Sequence, residues 1–226
     1  MALSIENILT SRVRVLLRDI DDGGIQWLDP ELLEWINEAC AEVARIRPEA
    51  SSQTVDVALA SGARQSIPAG ATLLLEGICN VDLGSGEELR VVRRSEREDL
   101  DKENLDWMSQ PKVGFAKRYV PSKTDPRTFY VFPPHDGNTE TGLRLVVSTA
   151  PTRVSSMSDQ FPLPDIYAAP VANYVLFRAF GKQIESQESQ VRSDKFLKIC
   201  YEQLGVTDRS MEERGAETRH RNEMDR

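Results

Sequence analysis

The segment from Asp29 to Ala50, DPELLEWINEACAEVARIRPEA, constrains the fold more than any other, because it carries a helix start, a buried seam and a helix stop within one short span. Asp29 is placed to accept hydrogen bonds from the first free amides, and Pro30 suits the first helical position. Glu31 and Glu34 favour the positive end of the helix dipole. Leu32, Ile36, Ala39, Val43 and Ile46 recur at steps of four and three, so one apolar stripe runs along the helix while Glu34, Glu38, Glu42 and Arg45 face elsewhere. Pro48 ends it. A helix patterned in this way must pack against others, and nothing in it is catalytic.

Its partners are predicted at both ends of the chain. Ser4 to Leu17 forms a first helix, with Ile5, Ile8, Leu9, Val13, Leu16 and Leu17 in the stripe and Arg12, Arg14 and Arg18 off it, broken by Asp21, Asp22, Gly23 and Gly24. Trp27 follows as a hydrophobic plug between the two helices. Beyond Pro162 and Pro164, Asp165 caps a helix centred on Val171 to Phe180, apolar around most of its circumference apart from Asn173 and Arg178. Pro170 is expected to distort its start. A further helix runs to about Leu204, with Phe196, Cys200 and Leu204 at four-residue steps, Ile199 beside them and Gly205 as a left-handed cap. These two make an antiparallel pair.

Between the helical ends the period changes to two. Val55, Val57 and Leu59, a Ser61-Gly62 turn and a return over Gln65 to Pro68 predict one hairpin. Leu73 to Leu83 and Leu89 to Val92 flank Gly84-Ser85-Gly86 and predict a second. Ser95 and Glu98 have capping-box spacing, so Glu96 to Leu105 is predicted as a short charged helix. Trp107 to Ser122 is predicted irregular. Arg127 to Phe132 and Leu143 to Ser148 are two further strands around a loop that Pro133, Pro134, Gly137 and Asn138 require. The fold class is therefore α+β: an N-terminal helical part over 1–50, an inserted antiparallel β-rich region with one short helix over 51–160, a C-terminal helix pair over 161–206 completing the bundle, and a polar tail over 207–226.

Chemistry-bearing motifs are sparse. Cys40, Cys79 and Cys200 lie far apart among apolar neighbours and read as small core residues, and only His135 and His220 are available to join them, so no metal or cofactor site is indicated. Gly84-Ser85-Gly86 opens no helix and is followed by no Lys-Ser or Lys-Thr pair, which excludes a phosphate loop. The carboxylates Glu96, Glu98, Asp99, Asp101, Glu103 and Asp106 are interleaved with Arg97 and Lys102 and read as a solvated helix face. Lys112, Lys117, Arg118 and Lys123 beside Phe115 and Tyr119 suit a subunit contact or a solvated loop, although such groups also grip nucleic acid. With no nucleophile elbow, metal spacing or phosphate loop, an enzyme is not expected.

The 226 residues carry a net charge of -8, which disfavours general DNA binding but suits a surface that DNA slides past. No apolar run is long enough to cross a bilayer. The N-terminus lacks a basic leader followed by an apolar block and cleavage site, so synthesis in a cytoplasm is expected. After Val206 there is no Val, Ile, Leu or aromatic residue, and the alternation of Asp208, Glu212, Glu213 and Glu217 with Arg209, Arg214, Arg219 and Arg221 gives a tail that is disordered or ordered only against a partner.

Four segments in their order, LLEWINEACAEVARIRPEA, QSIPAGATLLLEGICNV, RTFYVFPP and YAAPVANYVLFRAFGK, resemble the head-to-tail adaptor proteins of tailed bacteriophages, the group that includes the tubular tail protein beneath the portal. Lys182-Gln183 departs from that pattern, in which an acidic residue often ends the helix motif. The resemblance implies a virion protein at the head-tail junction, assembled as a ring of about twelve copies by heterologous contacts. It would sit between the portal protein and a tail or nozzle protein, with double-stranded DNA passing through and no membrane involved. The tail residues Met211, Arg214, Arg219, His220 and Arg226 are candidates for docking on the portal, and Val171, Tyr174, Val175, Phe177, Arg178 and Phe180 for an inter-subunit or core helix. A soluble partner-binding protein or assembly factor that forms no ring is the alternative.

Overall fold

The computed structural model describes residues 3–19, 26–138, 140–183 and 187–206. It divides into two compact units, one of residues 1–47 with 151–226 and the other of residues 48–150. Helices build the first and strands the second, so the chain is α+β. Residues 151–160 belong with the helices: Asn37 donates to the Val154 carbonyl at 2.9 Å and accepts its N–H at 2.8 Å.

The first helix is continuous but uneven. α1 (Ile5–Ile8) passes into a π-helical stretch, Leu9–Arg14, and then α2 (Val15–Leu17). Ile5, Ile8, Leu9 and Val13 are buried as the periodicity predicts, whereas Leu16 is exposed and Arg14 is buried. The wider π turn rotates the side chains that follow it, which moves Arg14 into the seam and Leu16 out of it. Arg14 pairs with Asp19 at 2.9 Å and with Asp29, and reaches the Trp27 carbonyl at 3.3 Å. Asp29 is thereby committed to Arg14. In α3 (Asp29–Ile46) Leu28 is the N-cap and no side chain caps the helix. Leu32, Ile36, Ala39 and Val43 are buried along the predicted seam, Ile46 is half-buried, and Leu33, Trp35 and Cys40 widen the seam. Trp27 is buried against Trp35, with ring centroids 5.6 Å apart.

A 3₁₀ turn, Asp165–Tyr167, leads into α5 (Ala168–Lys182), so Tyr167 and not Asp165 stands at the cap. Pro170 falls in the first turn, where no intrahelical acceptor waits for its missing N–H, and the predicted distortion does not occur. α6 (Gln187–Gln203) runs antiparallel to α5: Asn173 donates to Gln203 at 2.9 Å near one end, and Ser193 donates to the Phe177 carbonyl at 2.9 Å toward the other. Gly205, with φ of 72°, ends α6 in the left-handed conformation that the sequence indicates.

The other unit is a sandwich of two four-stranded sheets. One has the order β1 (Ser52–Ala58), β8 (Thr141–Thr149), β3 (Ala71–Asp82), β4 (Glu88–Val91), and the other β2 (Gly62–Ser66), β7 (Thr128–His135), β6 (Arg118–Pro121), β5 (Arg93–Arg94). All pairs are antiparallel except β5 with β6. Leu143, Leu145 and Val147 of one sheet and Phe129 and Val131 of the other share one buried cluster between them. Tyr130 and Phe132 alternate onto the opposite face, where α4 (Arg97–Glu103) packs over them through Leu100, together with Trp107.

Three sequence expectations change here. Thr54 to Pro68 is not a hairpin: β1 pairs with β8 and β2 with β7, so the chain crosses from one sheet to the other. Gln65 makes that corner, accepting the Ala60 N–H at 2.7 Å and donating to the carbonyls of Ala60 and Gly62 at 2.7 and 2.9 Å. The capping box does not form, since Glu96 is the N-cap and Glu98 accepts from Lys123 at 2.9 Å. Arg118–Pro121, read as irregular, is a strand. The hairpin at Gly84-Ser85-Gly86 is present as β3 and β4.

Candidate assembly surfaces

α5 supplies the candidate helix, and its residues divide by depth. Val171 and Val175 are fully buried within the helical unit and Phe180 nearly so, which makes them core. Tyr174, Phe177 and Arg178 are half-buried. Tyr174 and Phe177 meet edge to face at 5.5 Å, and Arg178 pairs with Glu38 at 2.9 Å. Only this second set borders solvent. Met211, Arg214, Arg219, His220 and Arg226 lie outside the described residues.

Where α5 ends, a groove of about 740 Å³ opens between α3, α5 and α6. Trp35, Phe177 and Phe180 give it an apolar floor, and Glu31, Lys182 and Asp194 stand at its edge. Phe180 is stacked on Phe196 with centroids 5.6 Å apart, and Lys182 bonds to Glu31 while lying 5.5 Å from the Trp27 ring centroid. These contacts fix the floor in place. Sequence reading missed the groove because its residues come from three helices whose packing no single pattern encodes.

A second feature lies in the sandwich. Arg90, Arg93, Lys117 and Arg118 surround a hollow of about 250 Å³ between β4, β5 and the approach to β6. Arg118 pairs with Glu103 at 2.8 Å, and Arg90 stacks on Phe115 with its guanidinium carbon 4.8 Å from the ring centroid. Asn80 holds the two basic segments together from beneath. Its amide donates to the carbonyls of Arg90 and Ala116 at 2.9 and 2.8 Å, and its oxygen accepts the Ala116 N–H at 2.7 Å. Of the predicted basic group, Lys117 and Arg118 lie here. Lys112 donates instead to Ser61, and Lys123 faces Glu96 and Glu98.

Within the acidic run around α4, Glu96 and Glu98 pair with Lys123, Asp101 with Arg97 at 3.6 Å and Glu103 with Arg118. Asp101 also accepts from the Trp107 indole at 2.7 Å. In the glycine turn Asp82 accepts the N–H groups of Gly84 and Ser85 at 2.9 and 2.8 Å, which holds its carboxyl below the ordinary range and uses the amides that a phosphate loop would need. His135 is buried and accepts the Gly137 N–H on Nδ1 at 3.0 Å. All three cysteines are free and buried, and burial pushes the Cys40 and Cys200 thiols up to about 12, far from reactive. No group of three or more His, Cys, Asp or Glu suited to a metal ion occurs among the described residues, and no described helix is long and apolar enough to cross a membrane.

A family model described as SU10 adaptor protein matches residues 5–220. No curated protein sequence matches the chain. Among solved structures, a chain from the neck of an empty GTA particle computed with C6 symmetry matches with a TM-score of 0.29 at 15% identity, over 82% of this chain and 79% of that one.

Proposed function

Because the chain belongs to the SU10 adaptor protein family, we propose that this phage head-to-tail adaptor forms a ring beneath the portal, prolongs the DNA channel and gives the tail its docking surface. The observation that carries the reading is the extent of the family match, which takes in both units and most of the tail. A ring of one repeated heterologous contact needs two different surfaces on each copy. The half-buried face of α5 with Tyr174, Phe177 and Arg178 supplies one, and residues 207–226, with Met211, Arg214, Arg219, His220 and Arg226, order against the portal. The net charge of -8 keeps passing DNA from adhering, provided carboxylates line the channel.

Mixing the purified chain with the portal encoded with it, and imaging the product by negative-stain electron microscopy, tests this directly. The full chain should give a stacked ring, and a chain ending at Val206 should not. Absence of a ring with either, on an intact portal, overturns the reading.

A further inference from the structure

The hollow beside β4, β5 and the approach to β6 gathers more positive charge than the side chains around it neutralise. Arg90, Arg93, Lys117 and Arg118 line it, and no carboxylate does. Arg118 has Glu103, and Arg94, beside Arg93 in the chain, has Glu96 at 3.9 Å, but Arg90, Arg93 and Lys117 have no acidic partner among the described residues. This inverts the charge balance of a chain whose net charge is -8. Like charges gathered in this way repel, and on the chain alone only solvent and counterions offset that cost.

The cations are kept together because the backbone beneath them is fixed on both sides. The Arg93 N–H donates to the Lys117 carbonyl at 3.1 Å, the Lys117 N–H donates to the Phe132 carbonyl at 2.8 Å, and Arg93 stands opposite Arg118 in the parallel pair. Asn80 ties the Arg90 carbonyl to both backbone groups of Ala116, and stacking on Phe115 holds the Arg90 guanidinium without neutralising it. Arg90 and Arg93 are three residues apart on nearly extended chain, about 10 Å, so the charges form a short row. At about 250 Å³ the hollow is smaller than the pockets that enclose whole small molecules, and Val91 is the one exposed apolar residue lining it, too little for the core of a protein interface. A row of fixed cations over a shallow hollow fits the backbone of a polyanion.

We infer that this hollow binds the phosphate backbone of double-stranded DNA, with Arg90, Arg93 and Lys117 each meeting a phosphate. Such contacts position the duplex without reading its sequence, and because they displace condensed counterions they weaken steeply with salt. Three of them hold DNA loosely, and the acidic balance of the chain opposes adhesion elsewhere. The inference deepens the adaptor reading above by giving the passing DNA a point of contact, and its test needs no ring.

The isotope-labelled full chain is titrated at low salt with a short DNA duplex of mixed sequence and followed by NMR. Amide shifts should concentrate in residues 90–94 and 115–119, and the logarithm of the affinity should fall against that of salt with a slope of about -3. Arg93→Gln with Lys117→Gln should weaken binding by about tenfold and bring the slope to about -1. Arg64→Gln with Arg127→Gln, the same change of charge at exposed residues beside Asp125, should leave both unchanged. Equal weakening by the two pairs overturns the site, since binding would then be diffuse. Inorganic phosphate that gives the same shifts and displaces the duplex at matched ionic strength assigns the hollow to free phosphate and overturns the DNA reading. Absence of any shift with DNA also overturns it, and loss of ring formation by the Arg93 and Lys117 variant would then assign the hollow to a protein carboxylate. A chain that binds DNA here but forms no ring on the portal overturns the ring reading and leaves this one standing.

Discussion

Buried polar side chains decide more of this structure than their number suggests, because each has a small set of partners it cannot lose. Asn80 is 1% exposed and satisfies three backbone groups of two neighbouring segments. Asn80→Leu keeps the branching and the number of heavy atoms but leaves all three unpaired, so a loss of about 2–4 kcal/mol is expected, read as a lowered urea midpoint at unchanged slope. Arg14→Met should cost a similar ~3–5 kcal/mol by stranding Asp19 in the core, and adding Asp19→Asn should recover part of it. Glu42 and Tyr201 offer a pH test. Two bonds from Arg45, at 2.8 and 2.6 Å, hold the Glu42 carboxyl below the ordinary range against the opposing effect of burial, with the Tyr201 hydroxyl assisting at 2.9 Å. Burial, and then the bond to Glu42, pushes Tyr201 up to about 12. The carboxyl therefore contributes stability that is full above its unfolded value of about 4.3 and is lost as pH falls through the folded one. The phenol contributes stability that is full below about 10 and is lost as pH rises through 12. Tyr201→Phe should flatten the alkaline limb of a stability profile measured by denaturant titration, with the Cys40 and Cys200 thiols leaving a residual slope in both proteins. Little of this was readable beforehand. The position of Arg14 off a regular helical stripe was correct arithmetic for 3.6 residues per turn, and the π turn at Leu9–Arg14 made it inapplicable.

Elements were legible where one residue type forced a local conformation. Gly205 is such a case: its φ of 72° ends α6, and the Arg47 guanidinium lies where a methyl group would stand while its Nε donates to the Leu204 carbonyl at 2.8 Å. Gly205→Ala should therefore displace Arg47 as well as strain the backbone, costing about 1–2 kcal/mol, with faster amide exchange concentrated in the last turn of α6. The glycine turn between β3 and β4 was legible for the same reason. Thr54 to Pro68 was not, because an alternating pattern states which face of a strand is buried and says nothing about which strand it pairs with. Gln65 resolves the choice, but its role depends on where Ala60 and Gly62 lie after the corner is made. The groove was hidden for a related reason. Trp35, Phe177 and Phe180 each read correctly as apolar positions of helices, and the hollow exists only in the way three helices converge.

At the scale of the molecule, a change in hydrophobic period revealed the division into a helical unit and an inserted β unit, and the order of four segments revealed the family, although neither is a catalytic or ligand signature. The insertion is closed by its own ends. Ser51 donates to the Thr149 carbonyl at 2.7 Å and the Thr149 hydroxyl donates back to the Ser51 carbonyl at 3.1 Å, so the chain enters and leaves the sandwich at one point. Its core is also its own: Phe129, Val131, Leu143, Leu145 and Val147 are fully buried within residues 48–150. A β unit of about 100 residues with paired termini and a two-sheet core is large enough to fold alone. Residues 48–150 expressed separately should give dispersed amide resonances and a single cooperative melt, measured by NMR and circular dichroism. Gly142→Ala should abolish that melt, because a methyl group there would run into the Val57 carbonyl on the paired strand β1 and the Leu83 side chain, a backbone clash that no side-chain rotation relieves. A fragment with strand content but no cooperative transition would mean that the sandwich takes its final packing from the rest of the adaptor, and the two units would then have to be treated as one folding body.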